Sequence, residues 1–449
     1  MDRKEFIKKS AIISAGAMTL PKLSEASKYY KNKLPKTSGV VKGNDKIKIA
    51  IVGFGGRGSD ALWNMFCADQ NIELVAIGDA FACSVERGKK FLQERIEKRF
   101  PGKFKDYWKV GDNVFIGLDA IDKVVKTDAD VVALATPPIF RTEHIEKCLQ
   151  NNKNIFAEKP ICIDATQLRK VYEQLIPLAN KKRLSVVCGT QMRYQSAIQE
   201  AVKRVQDGQI GEVISGQFLR YEPCYLTAAT LIKDVGANLK PDDVEYQLKN
   251  WLSFIWSSGD QFVEQYIHDL DIALWAMGGL PDMAVGSGGR QKYLEYPAKG
   301  DRYSNIHVQY DWANGKTLTA ACRQEDAAAP YFPRIVYGTK GRLYMSFGKQ
   351  RIEGEKPWDS GYQKRPELEV EHEFLLQSIR NSSPVNTMKQ CADSCYVAIA
   401  GREAAYSGKR FKCDWVLKRS KQSLMPKNLV LGGKLPVGQI PDPKTYKLS

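Results

Sequence analysis

Three groups of residues in this chain have the types and spacing to do chemistry. Gly53-Phe54-Gly55-Gly56-Arg57-Gly58 places glycine at the G-x-G-x-x-G interval. Such a run closes backbone around a phosphate: the first glycine takes the tight turn, the second admits the ligand and the third lets a helix pack close. Lys159 stands between Glu158 and Pro160. The proline biases it toward extended backbone, so its amine projects and can donate to a hydroxyl or carbonyl. Glu264 and His268 are four apart, with Asp271 just beyond. On a helix such a pair meets on one surface, and an imidazole that titrates near neutrality can move a proton.

What flanks the glycine run gives it meaning. Ile47 to Val52 reads as a buried strand and Gly58 to Ala68 as a helix, so a pyrophosphate would face the positive end of that helix. Asp79 ends the next strand, 21 residues after Gly58. A carboxylate there accepts hydrogen bonds from both ribose hydroxyls and repels a 2′-phosphate. The expected cofactor is therefore NAD rather than NADP, with Arg57 the residue best placed to reverse that. The bland alternative is a glycine turn that binds nothing.

The elements that must position these residues follow from the pattern around them. Leu74 to Gly78, Val131 to Ala135, a helix from Thr142 to Asn151, and Asn154 to Ala157 continue a βαβ rhythm. It predicts a doubly wound parallel sheet, which binds ligands beyond the carboxyl ends of its strands. Thr136-Pro137-Pro138 and Glu158-Lys159-Pro160 fall at two such ends. Later, Tyr303 to Tyr310 and Lys316 to Arg323 alternate around Asn314-Gly315, and another strand pair flanks Gly338 to Gly341. With Val213 to Tyr221 these predict a largely antiparallel sheet. The expected fold is α/β: a Rossmann domain at residues 46–165, then an α+β domain at 166–418 with a large, mostly antiparallel open sheet. One sheet face lies under helices and the other is available to a second copy, so a homo-oligomer, dimer or tetramer, is expected. Residues 1–45 read as signal and linker, and 419–449, with four prolines, as an extended basic tail.

Val263, Ile267, Leu270, Leu274 and Met277 recur at helical spacing. They predict one helix whose adjacent stripe, Glu264, His268, Asp271 and Trp275, forms a polar cleft wall. On this reading Glu264 orients His268 or relays its protons; alternatively the two pair on a surface for stability alone. After a strand ending at Cys188, Arg193 and Tyr194 can bind substrate hydroxyls, or equally form a buried salt bridge and a packed ring. His144, His307 and His372 lack ligand spacing and read as structural or surface residues. The 10 cysteines contain no C-x-x-C pair, so neither a metal site nor a disulfide framework is expected.

The net charge of +16 sits at the two ends: 12 Lys/Arg against 4 Asp/Glu in residues 1–48, and 10 against 2 in residues 409–449. The span between is neutral, which excludes a basic groove for nucleic acid. Residues 1–21 have a charged start, an apolar stretch from Ala11 to Leu20, and Pro21. That is the layout of an export signal, too short to span a bilayer, and it implies a periplasmic protein; the alternative is a cytoplasmic protein with an unstructured N-terminus. The run from Arg3 resembles a twin-arginine signal, with Lys4 where the second arginine belongs. Outside the cytoplasm no free pool recycles NADH.

Gly53 to Gly58, Thr136-Pro137-Pro138, Glu158-Lys159-Pro160 and Glu264 to Asp271, with Gly338 to Gly341 as a lesser fifth, together resemble the Gfo/Idh/MocA oxidoreductase family. Gln191 to Tyr194 is similar to a stretch that lines the cleft in that family. The resemblance implies a two-domain NAD(P)-dependent enzyme acting on a small carbohydrate, with the nicotinamide between the domains. It makes Lys159 a substrate-orienting and proton-relaying lysine, Glu264 and His268 the acid-x-x-x-His pair (many relatives carry aspartate first), and Asp271 a further acidic position. Gly53, Phe54, Gly55, Gly56, Arg57, Gly58, Asp79, Thr136, Pro137, Glu158 and Lys159 are expected at the cofactor, and Arg193, Tyr194 and Asp271 at the substrate. Three functions fit: a dehydrogenase of a secondary hydroxyl, a redox-neutral enzyme that cleaves a glycoside through a transient ketone on held NAD, and a non-catalytic dinucleotide sensor.

Overall fold

A computed structural model describes residues 46–449 except 224–237, 293, 327, 347, 363 and 364. The residues read as an export signal and linker, 1–45, lie outside the described residues. Six parallel strands form the first sheet: β1 (Ile47–Val52), β2 (Ile72–Asp79), β3 (Val114–Ile116), β4 (Val131–Leu134), β5 (Asn154–Ala157) and β6 (Val186–Cys188). Their order, β3-β2-β1-β4-β5-β6, is that of the dinucleotide-binding doubly wound fold. Ile49, Ala50 and Ile51 have no exposure, as expected for strands covered on both faces. Helix α1 (Gly56–Ala68) follows β1, and α2 (Pro138–Gln150) follows β4. The sixth strand lies beyond residue 165, so the parallel sheet reaches into the span assigned from sequence to the second domain.

In the second half, β7 (Val213–Glu222) comes first and is the central strand of a nine-stranded sheet; α3 (Val244–Lys249), α4 (Gln261–Glu264), α5 (Ile267–Met277) and β8 (Met283–Gly289) follow it. The Asn314-Gly315 hairpin joins β9 (Asn305–Asp311) to β10 (Thr317–Gln324) in antiparallel register from Asp311↔Thr317. β10 then pairs parallel with β7, which makes the sheet mixed rather than purely antiparallel. Val285, Gln309, Thr319, Gln217, Ile335 and Tyr344 pair across successive strands and stay half-exposed on one face. Phe218, Leu318 and Val308 lie buried on the other. Two late helices complete the body, α6 (Glu367–Arg380) and α7 (Met388–Ser407). Leu375 and Leu376 of α6 join the core of the parallel sheet with Ile49 and Ile51, and Arg380 pairs with Asp69 at 2.6 Å. The two halves therefore interlock.

The single helix expected over residues 263–277 is broken at Gln265 and Tyr266. Tyr266 explains the break: its N–H reaches back to Gln261 O at 2.9 Å, a five-residue step, while its buried hydroxyl donates to Phe218 O. The apolar face is buried as read. Residues 419–449 form no helix or strand, but they are fastened to the body; Tyr446, for example, donates to Glu403 at 2.7 Å. Among the described residues no helix is long and apolar enough to cross a membrane.

Candidate active site

The glycine turn has the division of labour that its spacing implies. Gly53 has φ +90°, and a Cβ there would lie 2.7 Å from Ala135 C and Thr136 N. At Gly58 a Cβ would lie 1.9 Å from Gly53 O, whereas at Gly55 it would meet nothing within 4 Å. The loop is thus closed against its own protein and open on one side, where a ligand backbone can approach. No side chain caps α1, whose N-cap is Gly55, so its first N–H groups remain for an anion. Asp79 supports the turn from behind: it accepts from Phe54 N at 2.7 Å and Phe81 N at 2.9 Å. Each oxygen keeps a lone pair for a ribose hydroxyl. Burial pushes its carboxyl above the ordinary value, against the pull of those N–H groups.

Gly53, Gly55, Asp79, Thr136 and Pro137 line an open cleft. Phe54, with its ring buried, is not in that wall. Arg57 turns away from Asp79, donating through Nε to Glu158 at 2.6 Å and through Nη2 to Glu371 at 3.4 Å. It is therefore not aimed at a 2′-phosphate, and the residue that could have reversed the cofactor preference is engaged elsewhere. Glu158 serves this contact and does not line the cleft. Glu371, wholly buried, is held well above the usual carboxylate range by burial and by neighbouring Glu158. The donor set, an open glycine, a bare helix start and a ribose-height carboxylate, fits NAD.

The catalytic candidates converge on one short stretch. Lys159 Nζ donates to Glu264 O at 2.6 Å and to Glu264 Oε1 at 2.8 Å. Glu264 is thus committed to Lys159 and not to His268, which corrects the pairing expected from the i, i+4 spacing; the break after α4 is the cause. The His268 ring is half-buried and makes no hydrogen bond among the described residues. Burial, then the nearby cations Lys159, Arg220, Arg57 and Arg334, hold it well below its ordinary pKa. It is neutral at neutral pH and able to accept a proton.

Arg193 and Asp271 form a buried bidentate pair, 2.7 and 2.9 Å, and Arg193 lies 4.9 Å from the Trp275 ring. Tyr194 is buried beside Phe374. All three are buried with internal partners, so geometry favours the salt-bridge and packed-ring alternatives over direct contact with a substrate. Sequence reasoning missed Arg141, whose guanidinium donates to Thr136 O and to Pro160 O and so ties together the two loops that carry Thr136 and Lys159. His144, read as structural or surface, is buried in the cleft wall with Nδ1 3.3 Å from Thr136 Oγ1. Its i, i+4 spacing from Phe140, also in that wall, was the available signal. Leu248, Lys249 and Trp251 line the cleft from the other half of the chain, and nothing local in sequence marks them. Among the described residues no group of side chains could hold a metal ion.

Residues 47–189 match the family model described as Oxidoreductase family, NAD-binding Rossmann fold (GFO_IDH_MocA). The parallel-sheet half is thus similar to the NAD-binding domain of Gfo/Idh/MocA oxidoreductases. Its relatives include scyllo-inositol 2-dehydrogenase (NAD(+)) of Bacillus subtilis (strain 168), 24% identical over 305 residues, covering 67% of this chain and 74% of that protein. Another is 2,7-anhydro-N-acetylneuraminate hydratase of Escherichia coli (strain K12), 24% identical over 251 residues, 54% of this chain and 59% of that one. The fold is that of scyllo-inositol dehydrogenase from Lactobacillus casei, solved with bound cofactor NAD(H) and scyllo-inositol: TM-score 0.59, 21% identity, 82% of this chain and 99% of that one.

Proposed function

We propose that this oxidoreductase acts on a secondary hydroxyl of a sugar, polyol or glycoside, with Lys159 and His268 as catalytic residues and Glu264 positioning Lys159. One observation supports the reading: a neutral imidazole without an internal hydrogen bond among the described residues lies within electrostatic reach of an amine held by Glu264. A substrate hydroxyl seated there gives its proton to an imidazole nitrogen of His268. Lys159 Nζ donates a hydrogen bond to the same oxygen and steadies the charge that develops on it. NAD, held by Gly53 to Gly58 and Asp79, supplies the hydride acceptor when bound. We further propose that copies assemble through the half-exposed sheet face.

The inositol dehydrogenases among the relatives favour net oxidation. The anhydro-sugar hydratase favours a second reading, in which the same residues oxidise a ring hydroxyl transiently, a neighbouring group leaves, and the hydride returns. Incubation with NAD and a panel of polyols and glycosides separates them. Accumulating NADH supports the dehydrogenase, cleavage without NADH supports the redox-neutral enzyme, and neither across the panel would overturn the carbohydrate reading.

A further inference from the structure

Part of the cofactor cleft is built from outside the parallel-sheet half. Leu248 and Lys249, at the end of α3, and Trp251 just after it line the cleft together with Asp79 and Phe81. Lys249 Nζ lies 5.3 Å from the Phe81 ring centroid. A helix of 6 residues does not hold its own shape, so its position over the cleft must be set by what it touches.

The C-terminal stretch sets it. Leu435 N donates to Asp242 O at 2.7 Å and Val244 N to Gly433 O at 3.2 Å, while Gly432 N donates to the Glu245 carboxylate. Gln247, with no exposure, donates to Leu435 O at 2.6 Å and Pro241 O at 2.9 Å, and accepts from Trp256 Nε1 at 2.6 Å. Lys434 pairs with Asp243 at 2.7 Å. Trp256 in turn packs edge-on against Phe140, 6.5 Å between centroids, and Phe140 is itself in the cleft wall. A continuous set of contacts therefore runs from residues 432–435 through Gln247 to both sides of the cleft.

We propose that residues 432–435, Gln247 and the Leu248–Trp251 turn form a clasp over the dinucleotide, so that NAD is a retained group that leaves slowly instead of a cosubstrate exchanged at every turnover. The proposal rests on the NAD site described above and sides with the redox-neutral reading, in which the hydride returns to the substrate; it does not depend on which sugar is used. It gives residues 432–435 a task that an extended basic tail would not have, and it fixes which residues govern release.

The test is the rate at which bound NAD exchanges with a fluorescent etheno-NAD chase, together with the dinucleotide retained by the full-length protein after gel filtration. Wild type should retain NAD. Gln247→Leu, which keeps the volume and removes the three hydrogen bonds, and Trp251→Ala, at a half-exposed position, should each release it about tenfold faster or more, as expected for losing one such contact's worth of affinity. If Gln247→Leu does not fold, Trp251→Ala carries the test. Release within about twofold of wild type in the folded variants overturns the clasp alone. A wild-type protein that takes up no NAD at all overturns the cofactor site and the clasp with it.

Discussion

Replacing single glycines separates the part of the turn that serves the fold from the part that serves the ligand. In Gly58→Ala the new methyl would sit 1.9 Å from Gly53 O, more than an ångström inside the 3.0 Å below which real Cβ contacts essentially never fall. Backbone has to move, and α1 has to lift off the turn. A cost of about 3 kcal/mol in stability is expected, the upper range for overpacking at a rigid site, with loss of NAD binding as well. In Gly55→Ala the methyl meets nothing within 4 Å and the backbone, φ −74° and ψ −163°, suits any residue. Alanine is a poorer N-cap than glycine, so the cofactor-free protein should lose at most ~1 kcal/mol. The methyl does occupy the open side of the loop, where the pyrophosphate must come close. Losing about one charge-assisted hydrogen bond there lowers NAD affinity by about 100-fold, or ~2.7 kcal/mol. Urea denaturation of the cofactor-free proteins reads the first quantity and calorimetric titration with NAD the second. Gly55→Ala binding NAD within about threefold of wild type would refute the ligand's placement, and a fully stable Gly58→Ala would refute the turn geometry.

Lys159→Met and His268→Asn should each lower turnover by about 10³-fold while leaving NAD affinity nearly unchanged, because acid–base groups act on the reacting hydroxyl; parallel loss of NAD binding would place them at the cofactor instead. The rate should fall as pH drops below the ordinary histidine range, since His268 works unprotonated and its pKa is depressed; a rate that rises with acid contradicts its role as base. Buried His144 and His372 are lowered from 6.5 to about 3. The unfolded chain then binds protons below pH 6.5 that the folded one refuses, and each residue removes ~1.4 kcal/mol of stability per pH unit. Asp301, raised from 3.8 to about 6, acts with the opposite sign below pH 6, so H372Q should flatten the acid slope and D301N steepen it; slopes unchanged in both would refute those assignments. Arg141→Met should cost about 3 kcal/mol of stability and weaken NAD binding, because Thr136 O and Pro160 O lose their shared donor; a neutral effect on both would show that the two loops do not need it.

The parts that were legible in the sequence are those where backbone geometry dictates residue type. Gly53 and Gly58 admit nothing larger, the β1 run is buried on both faces, and the Asn314-Gly315 turn fixes a register, so each leaves a local signature. The Lys159–Glu264 pair was not legible, because it joins residues 105 apart and depends on a helix break caused by where Tyr266 finds its hydrogen bond. The inward turn of Arg193 and Asp271 is likewise a tertiary choice between two satisfactory partners. Leu248, Lys249 and Trp251 carry no pattern of their own, since what places them is a C-terminal stretch that reads in isolation as solvated coil.

The most direct measurement loads the protein with NAD, mixes it rapidly with a polyol or glycoside found active in the panel, and follows the absorbance of reduced nicotinamide on the enzyme. Reduced nicotinamide should form in wild type and vanish in Lys159→Met and His268→Asn carrying the same amount of NAD. Undiminished reduction in both variants would contradict their catalytic role.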